Sequence, residues 1–230
     1  TGDLLSAIED GGADVIELGI PFSDPLADGP VIQRASERAL RGGATLRKVL
    51  DCLPGWREKL QAPIVLFTYF NPVLQYGLDA LAHDARRAGA DGALIVDLTP
   101  EEAGDYIAVM RRHRLDTIFL ASPTSSDDRL SRVAAASTGF LYLVSRTGVT
   151  GERQQLSRAL QPLVERARRF SELPLAVGFG VSTPEQVREV QSLADAAVVG
   201  SAAVHAIEDR YPTGGAAAVG DFVRWLKGDG

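Results

Sequence analysis

The stretch Val15-Ile-Glu-Leu-Gly-Ile-Pro-Phe-Ser-Asp-Pro-Leu-Ala-Asp-Gly29 begins as a buried strand and turns at Gly19 into a polar loop. Because side chains alternate between the two faces of a strand, Ile16 and Leu18 share one face and Glu17 lies on the other. The apolar pair suits a face that helices cover, which predicts that Glu17 points toward the interior of the fold. Burial there would raise the pKa of its carboxyl group toward the range useful for a general acid or base. A buried ion pair with an arginine is the alternative for this residue.

The same unit, a short apolar run followed by an amphipathic stretch, recurs along the chain. Most of the runs are continuously apolar, which is typical of parallel strands that are covered on both faces. Seven strands are predicted in all: Asp14–Gly19, Ile64–Tyr69, Gly92–Leu98, Thr117–Ala121, Phe140–Ser145, Leu175–Gly180 and Ala196–Ser201.

Helix start signals lie between these runs. Thr99-Pro-Glu-Glu102 and Thr183-Pro-Glu-Gln186 each combine a capping hydroxyl, a proline at the first helical position and an acidic first turn. Pro30 opens a further helix that Gly42 ends. Regular alternation of strand and helix without a linker predicts one α/β domain over residues 1–230.

The expected architecture is a (β/α)₈ TIM barrel. Such a barrel closes with eight strands, whereas seven are visible. The first residues, around Leu4, Leu5 and Ile8, form a helix that leads directly into a strand, as does the second half of a βα unit. We therefore expect a barrel that lacks its first strand at the N-terminus. An open seven-stranded sheet is the alternative.

Composition excludes several classes of protein. The net charge is −6 and no basic cluster stands out, which disfavours a nucleic-acid-binding surface. No run approaches the length of a membrane span, and Cys52, the single cysteine, excludes an internal disulfide and a multi-cysteine metal site. We expect a cytoplasmic protein without a metal site. His83, His113 and His205 fall in or beside helices rather than at strand ends, which disfavours a metal-dependent aldolase.

Glycine-rich segments follow three consecutive predicted strands: Ser145–Gly151, Gly178–Ser182 and Val199–Ala203. Glycines let the backbone approach a ligand closely, and TIM barrels often hold a phosphate at the loops after the last two strands. Each segment alone could be an ordinary turn. Together they predict a phosphate-binding site.

Five motifs, in their order and spacing, carry a family resemblance: Glu17–Pro30, Phe70-Asn-Pro72, Tyr142–Gly151, Gly178-Phe-Gly180 and Val199-Gly-Ser201. Over essentially its whole length the chain resembles the alpha subunits of tryptophan synthase. These are barrel lyases that split indole-3-glycerol phosphate into indole and glyceraldehyde 3-phosphate. The first motif is highly specific, whereas the others alone would indicate only a phosphate-binding barrel. The family's first strand, whose loop helps to wall the indole pocket, has no counterpart here.

The resemblance implies roles for individual residues. Glu17 is implied as the catalytic acid, Asp28 as the partner of the indole nitrogen, and Tyr142 as a neighbour of the reacting carbon. The phosphate site is implied at Gly151, Phe179, Gly180, Gly200 and Ser201. Loop and partner-facing positions are implied at Asp24, Pro25, Tyr69, Asn71, Pro72 and Thr150. Asp97, which ends the third predicted strand, is expected either to organise these loops or to cap a helix.

The resemblance also implies that the chain needs no cofactor of its own. Pyridoxal phosphate is expected only in a partner beta subunit, within an alpha2–beta2 heterotetramer through which indole passes. Two other functions stay open: a different reaction on the same phosphate-binding barrel, and a non-catalytic subunit that only activates the beta chain. A Schiff-base aldolase is disfavoured because Lys48, Lys59 and Lys227 all fall in helical segments.

Overall fold

The computed structural model describes residues 1–144, 156–178 and 180–228. The strands within these ranges are β1 Ile16–Gly19, β2 Ile64–Thr68, β3 Gly92–Ile95, β4 Asp116–Ile118, β5 Leu120–Ala121, β6 Leu141–Val144, β7 Leu175–Gly178 and β8 Ala196–Ala197. The helices are α1 Gly2–Asp10, α2 Pro30–Arg41, α3 Leu46–Arg57, α4 Phe70–Tyr76, α5 Leu78–Ala88, α6 Gly104–Arg112, α7 Asp127–Ala136, α8 Leu156–Arg168, α9 Pro184–Gln191 and α10 Ser201–Lys227.

The strands form two parallel four-stranded sheets, ordered β1-β2-β3-β4 and β5-β6-β7-β8. The predicted strand Thr117–Ala121 is the junction, because it is divided at Phe119 into β4 and β5. The Phe119 N–H donates to the Ser137 hydroxyl, 3.3 Å away, instead of to a neighbouring strand. Its carbonyl accepts from the N–H of Tyr142 on β6. The parallel βα order confirms the predicted α/β barrel class.

The two faces of the strands contact different surroundings. Ile16, Leu18, Ile64 and Leu66 are buried in the large core against the surrounding helices. The opposite faces supply a smaller apolar cluster, formed by Val65, Leu94, Ile118 and Tyr142. This alternation agrees with the period-two pattern of the sequence and leaves an enclosed interior between the strands.

One helix prediction is wrong. Residues 99–102 form a turn and α6 begins only at Gly104. The Thr99 hydroxyl donates to the Glu102 carboxylate, 3.2 Å away, so it does not cap a backbone N–H. At the other predicted start, Thr183 does cap α9, because its hydroxyl accepts from the N–H of Gln186 at 3.4 Å.

The first and last helices pack together closely. A Cβ atom added to Gly11 would lie 2.6 Å from the carbonyl oxygen of Gly220, so the contact requires glycine. Lys227 of α10 donates to the carbonyl of Gly12 at 2.6 Å and pairs with Asp14 at 3.0 Å. In the described part of the chain, no helix combines the length and apolarity that crossing a membrane requires.

Candidate active site

Glu17 occupies the middle of β1, with Val65 of β2 beside it in register. One of its carboxylate oxygens, Oε1, is buried and has no hydrogen-bond partner among the described residues. Burial raises the pKa of this carboxyl group to about 7. Since Ile16 and Leu18 face the helices, the side chain of Glu17 faces the interior, as its alternation predicts. The alternative of a buried ion pair with an arginine is not seen in the described structure.

Tyr142 of β6 reaches the same interior and is 6 % exposed. Its burial, and secondarily the charge of Glu17, raise the pKa of its phenol far above the ordinary value. The ring lies against Gly178 of β7, where an added Cβ would be 2.0 Å from the hydroxyl oxygen. Only a residue without a side chain can occupy position 178 while Tyr142 keeps this orientation.

Asp28 lies in the loop between β1 and α2, at the carboxyl ends of the strands. The hydroxyl of Tyr69 donates to its Oδ2 at 3.0 Å and accepts from the Ala27 N–H at 3.0 Å. Partial burial raises the pKa of Asp28, and the hydrogen bond from Tyr69 opposes that rise. Tyr69 also contacts the ring of Phe22, with 5.2 Å between the ring centroids. The aspartate is therefore held in place by its neighbours.

Asp97 makes the helix-capping contact that was one of the two expectations for it. Its Oδ1 accepts from the N–H of Phe70, 2.7 Å away, at the first residue of α4. The carboxylate thus caps a helix, where negative charge is favoured. Because the helix follows Tyr69, this cap also fixes the loop that holds Asp28.

The predicted phosphate site is described in part. Gly180 follows β7 and has a φ of +90°, a conformation that favours glycine. Gly200 precedes α10 and provides no side chain to cap it, while Ser201 is the exposed first residue of that helix. Such a helix start offers N–H groups to an anion. Gly151, Phe179 and Thr150, which were also assigned to the site and its loops, lie outside the described residues.

The predicted partner-facing positions separate into two groups. Asp24 and Asn71 are exposed, and Pro25 and Pro72 are half-buried. Tyr69 is 5 % exposed, so its side chain lines the site beside Asp28 rather than a surface. This contact could not be predicted from local patterns, because Tyr69 and Asp28 are distant along the chain. Two exposed leucines were not predicted either: Leu26, 93 % exposed on the loop after β1, and Leu74, 51 % exposed on α4.

The described ranges hold no group of three His, Cys, Asp or Glu side chains that could bind a metal ion. The three histidines lie on helices or at their ends: His83 in α5, His113 after α6 and His205 in α10. Two of the lysines are engaged outside the interior, Lys48 with the carbonyl of Gly43 and Lys227 with that of Gly12.

Comparison with known proteins identifies the family. A family model described as tryptophan synthase alpha chain matches residues 1–220. The tryptophan synthase alpha chain of Solibacter usitatus is 58 % identical over 208 residues, which are 90 % of this chain and 78 % of that protein. That of Roseiflexus castenholzii is 51 % identical over 227 residues, or 98 % of this chain and 87 % of that protein.

Solved structures agree. The structure of tryptophan synthase subunit alpha from Legionella pneumophila superposes with a TM-score of 0.90 at 38 % identity, covering 99 % of this chain and 86 % of that one. A chain of tryptophan synthase from M. tuberculosis, in an aminoacrylate- and BRD0059-bound form, gives 0.88 at 37 % identity, covering 99 % and 85 %. With its fold, its site and these relatives taken together, the chain belongs to the tryptophan synthase alpha chain family.

Proposed function

We propose that this protein cleaves indole-3-glycerol phosphate to indole and glyceraldehyde 3-phosphate by a retro-aldol reaction. The observation that carries the proposal is Glu17, a carboxyl group buried inside the barrel, with a pKa of about 7 and one oxygen to which no described residue donates a hydrogen bond. Near neutral pH such a group exists in both protonation states, which suits a residue that must both donate and accept a proton.

The reaction needs a place for the electrons of the bond that breaks. Glu17 donates its proton to C3 of the indole, which leaves the ring cationic and able to accept electrons. The bond between C3 and the glycerol side chain then breaks, its electron pair returns to the ring, and the side-chain hydroxyl becomes the aldehyde. The hydroxyl proton passes to the carboxylate of Glu17, which restores the enzyme. No oxidant or added water is consumed, and the substrate serves as its own electron sink.

Asp28 supports this step electrostatically. We propose that its carboxylate accepts a hydrogen bond from the indole N–H and stabilises the positive charge that grows there. The hydrogen bond from Tyr69 fixes the carboxylate in advance, so little reorganisation is needed as the charge develops. The charge of Glu17 contributes to the raised pKa of Tyr142, and we propose that this tyrosine contacts the reacting carbon. Two carboxylates in different environments thus take different roles.

The phosphate of the substrate is proposed to bind at Gly180, Gly200 and Ser201, together with Gly151 and Phe179. The uncapped start of α10 supplies backbone N–H groups, and Ser201 adds a hydroxyl. Binding energy gained at this end of the substrate orients the indole toward Glu17.

We propose that the chain works with a beta subunit in an alpha2–beta2 heterotetramer. The exposed loop Asp24–Gly29 and the start of α4, with Asn71 and Pro72, support this surface, because both lie at the same end of the strands as Glu17 and Asp28. Pyridoxal phosphate would belong to the beta subunit, since none of the steps proposed for this chain requires a cofactor.

The deciding experiment measures indole release from indole-3-glycerol phosphate by the wild-type protein and by Glu17→Gln, each with and without a beta subunit. We expect turnover by the wild type, stimulation by the beta subunit, and loss of turnover in Glu17→Gln with nearly unchanged binding of a substrate analogue. Stimulation of the beta reaction without indole release would instead support a purely regulatory subunit. Residual turnover with strongly weakened binding would contradict the role of Glu17.

A further inference from the structure

Helix α2 carries the Asp28 loop but is weakly anchored by apolar packing. It begins two residues after Asp28, and none of its side chains is fully buried. The side chain of Gln33, in its first turn, donates to the carbonyl of Asp28 at 2.8 Å. The position of Asp28 therefore depends on the position of α2, and polar contacts have to hold α2 in place.

The polar contacts converge on Glu208 of α10. Its carboxylate pairs with the guanidinium of Arg38, and its other oxygen lies 3.5 Å from Nη2 of Arg34. Arg34 and Arg38 are one turn apart on α2, so a single acid engages both. His205, one turn earlier on α10, has its Nδ1 3.6 Å from the same oxygen that Arg34 approaches. Only 17 % of the Glu208 side chain is exposed, although it lies at the surface of two packed helices.

The same helix connects Glu208 to the proposed phosphate site. Ser201 is the first residue of α10 and Glu208 is the eighth, which corresponds to about 10 Å along the helix axis. Since a helix is stiff over this length, Glu208 and the start of α10 move together. One carboxylate thus joins the element that holds Asp28 to the element that begins at the phosphate site.

We propose that Glu208 is a positioning residue that fixes α2 against α10 and thereby sets the distance between Asp28 and the bound phosphate. This inference rests on the proposed function. An isolated ion pair at a protein surface contributes little, because solvent and salt screen it and two flexible side chains must be ordered. Here one largely covered carboxylate orders two arginines. Its effect is measured on catalysis, because a small displacement of the groups around the substrate slows the reaction.

The test is Glu208→Gln, which keeps the size of the side chain and removes its charge. We expect kcat for indole formation to fall about two- to fivefold, the upper range of what partly exposed ion pairs contribute. The Kd of glycerol 3-phosphate should stay within about twofold, because that ligand contacts only the phosphate end. Added NaCl should slow the wild type toward the rate of Glu208→Gln and leave the variant nearly unaffected.

Two further variants make the outcome specific. Asp209→Asn, the matched control, removes a neighbouring exposed acid that contacts His205 and neither arginine, and should leave kcat unchanged. Arg38→Gln should reproduce the defect of Glu208→Gln, and the double variant should be no worse than either single one. If each substitution instead damaged the fold independently, the two losses of kcat would add in the double variant.

Each result has a definite meaning. Normal kcat in Glu208→Gln, or additive defects in the double variant, would overturn the positioning role and leave the proposed function intact. Equal loss of kcat and of glycerol 3-phosphate affinity would overturn it as well, because it would indicate damage to α10 itself. If the wild type releases no indole with or without a beta subunit, the proposed function fails, and this inference fails with it.

Discussion

Folding removes the carboxyl group of Glu17 from water, and its Oε1 accepts no hydrogen bond from the described residues. Its pKa rises from 4.5 to about 7, so the folded protein holds this proton more tightly than the unfolded chain does. The stability linked to protonation is therefore fully present below about pH 4.5 and is lost as the pH rises through 7. The burial that suits Glu17 to proton transfer therefore destabilises the folded protein at alkaline pH.

This predicts that Glu17→Gln stabilises the protein in a pH-dependent manner. Glutamine resembles the protonated acid, so the free energies of unfolding of variant and wild type should be close at pH 5. At pH 8.5 the variant should be more stable by about 1 to 3 kcal/mol, because it has no charge to bury. Urea unfolding at both pH values measures this. Glu58→Gln, at an exposed acid, is the control, and an advantage independent of pH would contradict the prediction.

The hydroxyl of Tyr69 is the second feature at this scale. Its hydrogen bond lowers the pKa of Asp28 against the effect of burial, so Tyr69→Phe should raise that pKa. Because Asp28 is proposed to act as a carboxylate, we expect the acidic limb of the pH profile of kcat to shift to higher pH. Tyr76→Phe removes a comparable hydrogen bond, to Asp84 at 2.6 Å, away from the site and should leave the profile unmoved. An unshifted profile in Tyr69→Phe would show that the bond does not control Asp28.

Local patterns predicted some residues of the site and not others. Glu17 could be assigned to the interior because alternation within one strand decides its direction. The contact of Tyr69 with Asp28 could not be predicted, since it depends on how β1 and β2 pair and on the shape of the loop between β1 and α2. Gly178 was assigned as part of a glycine loop, whereas in the structure it makes room for the ring of Tyr142.

At the scale of elements, strand starts are fixed by acidic side chains from neighbouring strands. Asp91, just before β3, accepts from the N–H of Ile64, the first residue of β2, at 2.8 Å. Asp195, just before β8, accepts from the N–H of Leu175, the first residue of β7, at 2.7 Å. Each acid also pairs with an arginine at the end of the helix that precedes the strand it fixes: Asp91 with Arg57 of α3, and Asp195 with Arg168 of α8. The two sheets thus use the same device at the end opposite the site.

Asp195→Ala should lower the free energy of unfolding by about 1 to 2 kcal/mol at pH 7, because the N–H of Leu175 loses its charged acceptor. The pKa of Asp195 is lowered, chiefly by that hydrogen bond, so its contribution is present above the ordinary pKa of 3.8 and is lost as the pH falls. The difference from wild type should therefore shrink toward pH 3 in urea unfolding. Asp209→Ala, at an exposed acid of α10, should show little effect at either pH. A deficit that persists undiminished at pH 3 would argue against the charged contact.

Element boundaries were harder to predict than element types. Thr99 and Thr183 begin nearly identical motifs, yet only Thr183 caps a helix. The difference lies in the partner of the hydroxyl, which is a side chain at Thr99 and a backbone N–H at Thr183. The division of Thr117–Ala121 at Phe119 likewise depends on the Ser137 hydroxyl, which no local signal announces.

At the scale of the whole molecule, the proposed active site forms because the strands are parallel. Every strand runs the same way, so the residues that follow β1, β2, β3, β7 and β8 come to one end of the barrel. The loop after β1 and the helix after β2 also expose apolar side chains there, Leu26 and Leu74. Leu26 is 93 % exposed and lies two residues before Asp28, at the edge of the proposed site.

We predict that Leu26→Asp weakens association with a beta subunit by about tenfold or more, because a charge would have to be buried in the interface. The side chain makes no packing contribution to the chain itself at this exposure, so the fold and the free energy of unfolding should not change. Titration of lyase stimulation against beta-subunit concentration measures the affinity. At saturating beta subunit the stimulated rate should recover, since Leu26 does not contact the reacting atoms.

Phe170→Ser provides the matched control. Phe170 is 37 % exposed and follows α8 at the start of the segment leading into β7, so it lies at the end of the barrel opposite Leu26. The substitution removes a partly exposed apolar side chain far from Leu26 and should leave the titration unchanged. If Leu26→Asp bound the beta subunit as tightly as the wild type does, the partner surface would have to lie elsewhere. If Phe170→Ser weakened binding instead, that surface would be the opposite end, and the product could not pass directly from Glu17 to the partner.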